Sequence, residues 1–139
     1  MNPNIKFEYS NNTAICTITY KGYDFTGKAF CHPEDMDYES ERTGLCIAEA
    51  RANIKVMKFK RNCEIKPAVG AMKHLISNIK MSNKCNEKSH ELRLIYSNLN
   101  RLEKQLDTIN NDIAEEEQYL KEYIQKKDAF YKKLRARNK

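Results

Sequence analysis

The sequence predicts an α+β protein, with an N-terminal three-stranded antiparallel meander followed by helices, the last of them long and coiled-coil-like. Within the first thirty residues, β-branched and aromatic residues are grouped into short runs that turn sequences separate. After Gly70 the chain contains neither Gly nor Pro, and apolar residues recur every seven positions. We therefore expect a sheet-plus-helix domain at residues 1–84 and a long C-terminal helix at residues 85–139.

Three N-terminal segments have the composition of strands. Residues 5–9 alternate apolar and polar side chains, residues 13–20 are rich in β-branched side chains, and residues 23–31 form a third run. The connecting pairs Asn11-Asn12 and Lys21-Gly22 tolerate the positive φ of a tight hairpin turn. A bare meander is marginally stable in water, so one face of this sheet must be covered.

Two helices are predicted between the sheet and the C-terminal helix, over residues 38–61 and 69–79, with a break at 62–67. Gly44 lies inside the first of them. It indicates either a tight crossing against the sheet or backbone access for a ligand. The apolar stripe of the first helix comprises Ile47, Ala50, Ile54 and Met57, with the small residues Ala48 and Ala52 beside it.

The C-terminal helix is predicted over residues 87–136, a length of roughly 75 Å at about 1.5 Å per residue. Its heptad seam is longer than the predicted short helices can cover, which predicts that a second copy or a partner protein covers part of it. Alternatively, the chain bends at Asn110-Asn111-Asp112 into a hairpin that buries the seam internally. The seam comprises Leu92, Leu99, Leu106, Ile113, Leu120, Lys127 and Leu134, with Ile95, Leu102, Ile109, Glu116, Tyr123 and Phe130.

Positive charge is concentrated in two stretches of a chain whose net charge is +6. Residues 126–139 contain seven Lys or Arg and one Asp, and residues 51–73 contain seven Lys or Arg against Glu64. Segregated basic faces suit an anionic partner, either nucleic acid or a small phosphate-bearing ligand. The alternative is that these charges only solvate helix faces.

The sequence predicts no enzymatic activity, no cofactor and no metal site. The five cysteines contain no CxxC pair, which indicates reduced thiols in the cytoplasm rather than a zinc site. Cys31-His32 could supply a nucleophile and a base, but adjacent strand residues point to opposite faces. No apolar run approaches the ~20 residues of a membrane helix, so no membrane association is expected.

Binding chemistry centres on Arg51 and Lys55, which are four residues apart and share one helix face. An Arg held near aromatic strands offers phosphate a rigid fork of donors beside a stacking surface. The alternatives are an ion pair between Arg51 and a carboxylate such as Asp35, and a core role for the aromatic residues. The aromatic residues in question are Tyr23, Phe25 and Phe30.

Two segments carry a resemblance to small proteins of phages and prophages: GKAFCHPED at 27–35 and IAEARANIK at 47–55, with Gly44 between them. With its short sheet and long helices, the chain resembles the Thoeris anti-defense sponge family over residues 14–58. The resemblance implies a non-enzymatic protein that traps cyclic nucleotide signals of bacterial immunity, such as glycocyclic ADP-ribose or a cyclic oligonucleotide. It also implies a homo-oligomer in the cytoplasm of the host bacterial cell, with sites where protomers meet.

If the resemblance holds, Arg51 and Lys55 bind phosphate while Phe25 and Phe30 stack on the ligand. Outside the matched segment, charge and helical spacing single out three more ligand-binding candidates on the C-terminal helix. These are Arg93, Asn98 and Arg101. Two hypotheses of other classes stay open: a basic coiled-coil protein that binds nucleic acid, and an inhibitor that grips a host protein through its heptad seam.

Overall fold

The structure, a computed structural model, describes residues 4–30, 41–81 and 89–137. It confirms the α+β prediction, because a three-stranded antiparallel sheet is followed by helices of which the last is long. The elements in chain order are β1 (Asn4–Ser10), β2 (Thr13–Tyr20), β3 (Tyr23–Phe30), α1 (Glu41–Phe59), a π-helical segment (Lys60–Ile65), α2 (Lys66–Met81) and α3 (Ser89–Arg137).

The sheet has the order β1-β2-β3, and both strand pairs are antiparallel. Each hairpin turns through two residues with positive φ, as the turn sequences predict. The four residues are Asn11, Asn12, Lys21 and Gly22. The register places Cys16 of the central strand opposite Phe7 of β1 and Gly27 of β3. These three residues therefore share the face of the sheet that carries the core.

The described chain divides into two compact units. The first unit comprises Met1–Met57 with Ile113–Lys139, and the second comprises Lys58–Asp112. This grouping differs from the expected division at residue 84, which separates the chain by element type and stays a prediction. No helix among residues 4–30, 41–81 and 89–137 is long and apolar enough to cross a membrane.

The core of the first unit lies between the sheet and α1. β2 contributes Ala14, Cys16 and Ile18, which are at most 1% exposed. α1 is buried along two stripes of its surface, and side chains of the C-terminal part of α3 pack against the same core. The first stripe of α1 comprises Ile47, Ala50 and Ile54, as predicted, whereas Met57 of the predicted stripe is only half-buried. The second stripe comprises Ala48, Ala52 and Val56.

The predicted break at residues 62–67 is wrong, because the helical residues continue from Glu41 to Met81. The π-helical segment lies where the break was expected, and the N–H of Lys66 donates to the carbonyl of Arg61, five residues earlier. Pro67 explains the irregularity, since it has no N–H and its ring clashes with the carbonyl four residues earlier. A π turn widens the helix at that point without ending it.

The second unit is held by apolar contacts between α2 and α3. Val69 and Ile76 of α2 form a buried cluster with Leu99 and Leu102 of α3. Ile65, Ala68, Met72 and Ile95 pack around the cluster. The predicted stripe of the second short helix is therefore the surface that meets α3.

α3 is one continuous helix of 49 residues that includes Asn110, Asn111 and Asp112, so the hairpin alternative is not realised. The seam is also better covered than predicted, because the chain's own side chains bury or half-bury all its members except Phe130. The seam therefore does not need another chain to cover it. Association of copies of the chain stays a prediction.

Candidate functional site

The first place where predicted site residues meet is the crossing of α1 and β3. A Cβ atom added to Gly27 would lie 2.0 Å from the carbonyl oxygen of Ala48 and 2.5 Å from the amide nitrogen of Ala52. Both distances are backbone contacts that no side chain can accommodate. The helix therefore lies directly on the strand backbone at Gly27 and the two alanines, while Gly44 is a buried residue of the same helix and both interpretations of it stay predictions.

This crossing sets Arg51 and Lys55 against the outer edge of β3. The Nη1 of Arg51 donates to the carbonyl oxygen of Lys28 at 2.6 Å, and the Nζ of Lys55 donates to that of Thr26 at 2.5 Å. Four residues of helix span about 6 Å and two residues of strand about 6.8 Å, so the two spacings match. Together the two cations cap successive carbonyl groups of an edge strand.

Capping uses only part of the binding capacity of these side chains. Both Arg51 and Lys55 remain exposed, and a guanidinium carries five N–H donors. The hydrogen bonds hold the two positive charges on a rigid scaffold, which lowers the entropy cost of binding an anion. Their role in phosphate binding stays a prediction, now joined by a structural role that the sequence did not reveal.

The aromatic candidates lie on opposite faces of the sheet. Phe25 pairs with Ile18 and packs half-buried against the core, which agrees with the core interpretation of its sequence. Phe30 lies five residues further on, so strand alternation directs it to the other face, where it is 68% exposed. The two rings therefore do not form the walls of one stacking site. A stacking role stays a prediction for each ring separately.

The second unit contains an open cleft of about 430 Å³. Ile65, at the end of the π-helical segment, forms one side, and residues of α3 form the rest. Near it, the guanidinium of Arg61 donates to the side-chain oxygen of Asn110 at 3.3 Å and so ties the π-helical segment to α3. The α3 residues that line the cleft are Arg101, Lys104, Gln105, Thr108, Ile109 and Asp112.

The lining is arranged so that different chemistry lies at each end. Arg101 and Lys104 are exposed cations near one end, and Asp112 is a carboxylate further along the helix, about 16 Å from Arg101 and about 12 Å from Lys104. Ile109 lies between them along α3, and Ile65 adds apolar surface from the π-helical segment. An elongated ligand with an anionic group, an apolar ring surface and a hydrogen-bond donor matches this order. The volume is within the range of about 300–1,000 Å³ that is usual for small-molecule sites.

The structure separates the three predicted candidates on α3. Arg101 lines the cleft, whereas Arg93 and Asn98 are exposed on α3 and do not line it. On an ideal helix Arg93 and Asn98 point about 140° apart, so no common site is expected for them. Sequence reasoning missed the other lining residues because Ile65 was assigned to a break. The polar residues spaced by three and four positions on one flank of the seam, from 101 to 112, were the available signal.

Thiol and metal chemistry add little to these two places. Cys16, Cys46 and Cys63 are free thiols, and Cys16 is fully buried. Burial, and then the negative charge of Glu49, raise the pKa of the Cys16 thiol above its ordinary value. A buried thiol of this kind is a core residue and not a nucleophile. Within the described ranges no three His, Cys, Asp or Glu side chains come together as a metal site.

Comparison of the chain with family models, with curated proteins and with solved structures finds no match. The resemblance in segments 27–35 and 47–55 therefore has no independent support, and it stays a prediction. Residues 31–35 of the first segment lie outside the described residues.

Proposed function

We propose that this protein is a non-enzymatic binding protein of a phage or prophage. It sequesters a cyclic nucleotide signal in the cytoplasm of the host bacterial cell. The observation that supports this proposal best is the cleft of the second unit, with Arg101 and Lys104 at one end and Asp112 at the other. The resemblance to anti-defense sponges motivates the choice of a cyclic nucleotide among anionic ligands.

The chemistry of the cleft favours such a ligand for three reasons. Guanidinium and ammonium groups are the usual partners of phosphate oxygens, and a nearby apolar surface suits the face of a base or ribose. A carboxylate accepts hydrogen bonds from the exocyclic amine or ring N–H of a base. Ile65 and Ile109 would supply the apolar surface, and Asp112 the carboxylate.

Native mass spectrometry of the purified protein with a panel of cyclic nucleotides and ADP-ribose isomers tests the proposal. We expect retention of one ligand class, released chemically unchanged on denaturation. Arg101→Ala and Lys104→Ala should each weaken binding by roughly tenfold or more, because each removes a charge-assisted hydrogen bond. Lys121→Ala is the matched control, since it removes the same charge from an exposed position of α3 outside the cleft.

The two candidate places give different results in this experiment. Binding lost in Arg101→Ala but kept in Arg51→Ala assigns the ligand to the cleft. The reverse pattern assigns it to the edge of β3. A protein that retains no member of the panel refutes the proposal, and a ligand recovered as a cleaved product refutes the non-enzymatic part of it.

A second candidate function is nucleic-acid binding through the end of α3. Three exposed cations lie within about 40° of one another around the helix: Lys126, Lys133 seven residues after it, and Arg137 eleven residues after it. Such a stripe follows a line of phosphates, so affinity should fall steeply with salt. Lys133→Glu should then weaken binding to a DNA or RNA duplex, while Lys104→Glu leaves it unchanged. Binding that is independent of salt would reject this candidate.

A further inference from the structure

The hydrogen bonds that cap β3 determine the direction of every backbone group in the sheet. In an antiparallel sheet the N–H and C=O of one residue point to the same neighbouring strand, and the direction alternates along the chain. The carbonyls of Thr26 and Lys28 point away from β2, to the side chains of α1. Gly27 between them therefore exchanges its hydrogen bonds with Cys16 of β2, its partner in the register.

The same alternation fixes β1. Ile15 of β2 neighbours Cys16 and so directs its N–H and C=O to β1, where Glu8 lies opposite. Along β1 the direction of the N–H and C=O groups alternates, so every second residue directs them away from β2. Phe7 and Ile5 thus direct their N–H and C=O groups away from β2, and among the described strands none lies beyond β1.

The side chains at this edge are apolar and exposed. Ile5 is 44% exposed and Phe7 is 48% exposed, although both lie opposite buried residues of β2 on the helix side of the sheet. Beside Phe7 is a hollow of about 320 Å³. Its other lining residues all come from α1 and comprise Glu41, Arg42, Leu45, Cys46 and Glu49.

We infer that β1 is the contact surface for a second copy of this chain, whose β1 pairs with it antiparallel about a two-fold axis at Phe7. The two Phe7 residues then exchange their outward N–H and C=O groups, and Ile5 lies opposite the partner's Tyr9. On the other face Lys6 lies opposite the partner's Glu8, twice by symmetry. The two sheets join into one of six strands, since each copy contributes three.

Charge identifies the occupant and the register. A two-fold axis at Lys6 would set like charges against each other, whereas an axis at Phe7 sets each Lys against a Glu. A second β1 that runs antiparallel presents Glu opposite Lys and Lys opposite Glu, which a strand of unrelated sequence does not generally do. The added strand also extends the apolar row of Ile5 and Phe7 on the helix side of the sheet, next to the hollow that Cys46 lines. This interface depends on no ligand.

Sedimentation velocity of the full chain with single and paired charge reversals tests the interface. Lys6→Glu and Glu8→Lys each place two like pairs across the axis, so each should raise the dimer dissociation constant by on the order of tenfold to thirtyfold. Lys6→Glu combined with Glu8→Lys re-creates opposite pairs and should restore the wild-type constant. Both positions are exposed, so folding is unaffected, which circular dichroism checks.

Phe7→Pro gives a second reading of the same interface. Proline lacks the outward N–H that the two-fold pair requires, but it leaves the hydrogen bonds between β1 and β2 in place. We expect this variant to remain folded and monomeric. The inference is overturned by a monomeric wild-type chain, by single reversals that associate as the wild type does, or by a paired reversal that stays dissociated. The Lys6→Glu variant has an unchanged cleft lining, so it should still bind the cyclic nucleotide. Dimer formation and ligand binding can therefore fail independently of each other.

Discussion

The crossing of α1 over β3 allows a sharp test of the fold, by the substitution Gly27→Ala. The added Cβ would lie 2.0 Å from one backbone atom of α1 and 2.5 Å from another, and real contacts of this kind are not closer than about 3 Å. The helix must therefore withdraw by about 1 Å. A gap of about 0.5–1 Å forfeits a quarter to a half of the dispersion energy of the atoms that face it.

The loss extends to the bonds beside the crossing. Arg51 and Lys55 donate to carbonyls of the same strand at 2.6 and 2.5 Å, and these distances cannot survive a withdrawal of that size. Overpacking costs about 1–3 kcal/mol, and each charge-assisted hydrogen bond adds about 1 kcal/mol at an exposed site. We expect Gly27→Ala to lower the free energy of unfolding by about 3–5 kcal/mol.

Urea denaturation followed by circular dichroism measures this change, with Gly70→Ala as the matched control. Gly70 lies inside α2, and a Cβ added there meets no atom within 4 Å. The control should raise the free energy of unfolding by about 0.5–1 kcal/mol, because Ala loses less backbone entropy in a helix. A Gly27→Ala protein as stable as the wild type would refute the close crossing and with it the capping of the β3 edge.

Three further predictions concern stability. Lys55→Met keeps the apolar stem and removes the bond to β3, so urea denaturation should show a loss of about 1 kcal/mol; no loss would mean that water replaces the ammonium. Leu102→Ala should cost about 2–4 kcal/mol, whereas Leu94→Ala, at a 55% exposed position of the same helix, should cost under about 0.5, and equal losses would contradict the burial pattern. Because folding raises the pKa of Cys16, the unfolded chain loses this proton at a lower pH than the folded chain, and stability should fall as pH rises above about 9.0. Urea denaturation across that pH range should show a shallower fall for Cys16→Ala than for the wild type. Identical slopes would contradict the raised pKa.

Local sequence was sufficient to predict the sheet and α3. The hairpin turns at Asn11-Asn12 and Lys21-Gly22 need only residues that accept positive φ. A seven-residue apolar repeat without Gly or Pro predicts one continuous helix. The π-helical segment was missed because contacts distant in sequence keep the chain helical on both sides of Pro67. Residues 62–67 were interpreted as a break between two helices, but the contacts of Val69 and Ile76 with α3 stabilise the helical backbone that follows Pro67.

The candidate site was predicted only in part, for a related reason. Arg51 and Lys55 were identified from their spacing, yet their partners are backbone carbonyls, which carry no sequence signal. Arg101 was identified from charge and helical spacing. Its neighbours in the cleft became recognisable only when Ile65 was placed against α3, because a cleft is defined by what faces a helix as well as by the helix.

The two edges of the sheet show where association can occur. At β3 the outward carbonyls of Thr26 and Lys28 are occupied by side chains of α1, so a further strand would have to displace two charge-assisted bonds. At β1 the apolar side chains Ile5 and Phe7 are about half exposed, and the heptad seam is largely covered within one chain. We therefore expect copies of the chain to associate at β1, whose charge order is complementary to its own reverse, and not along α3, where the heptad pattern first indicated association.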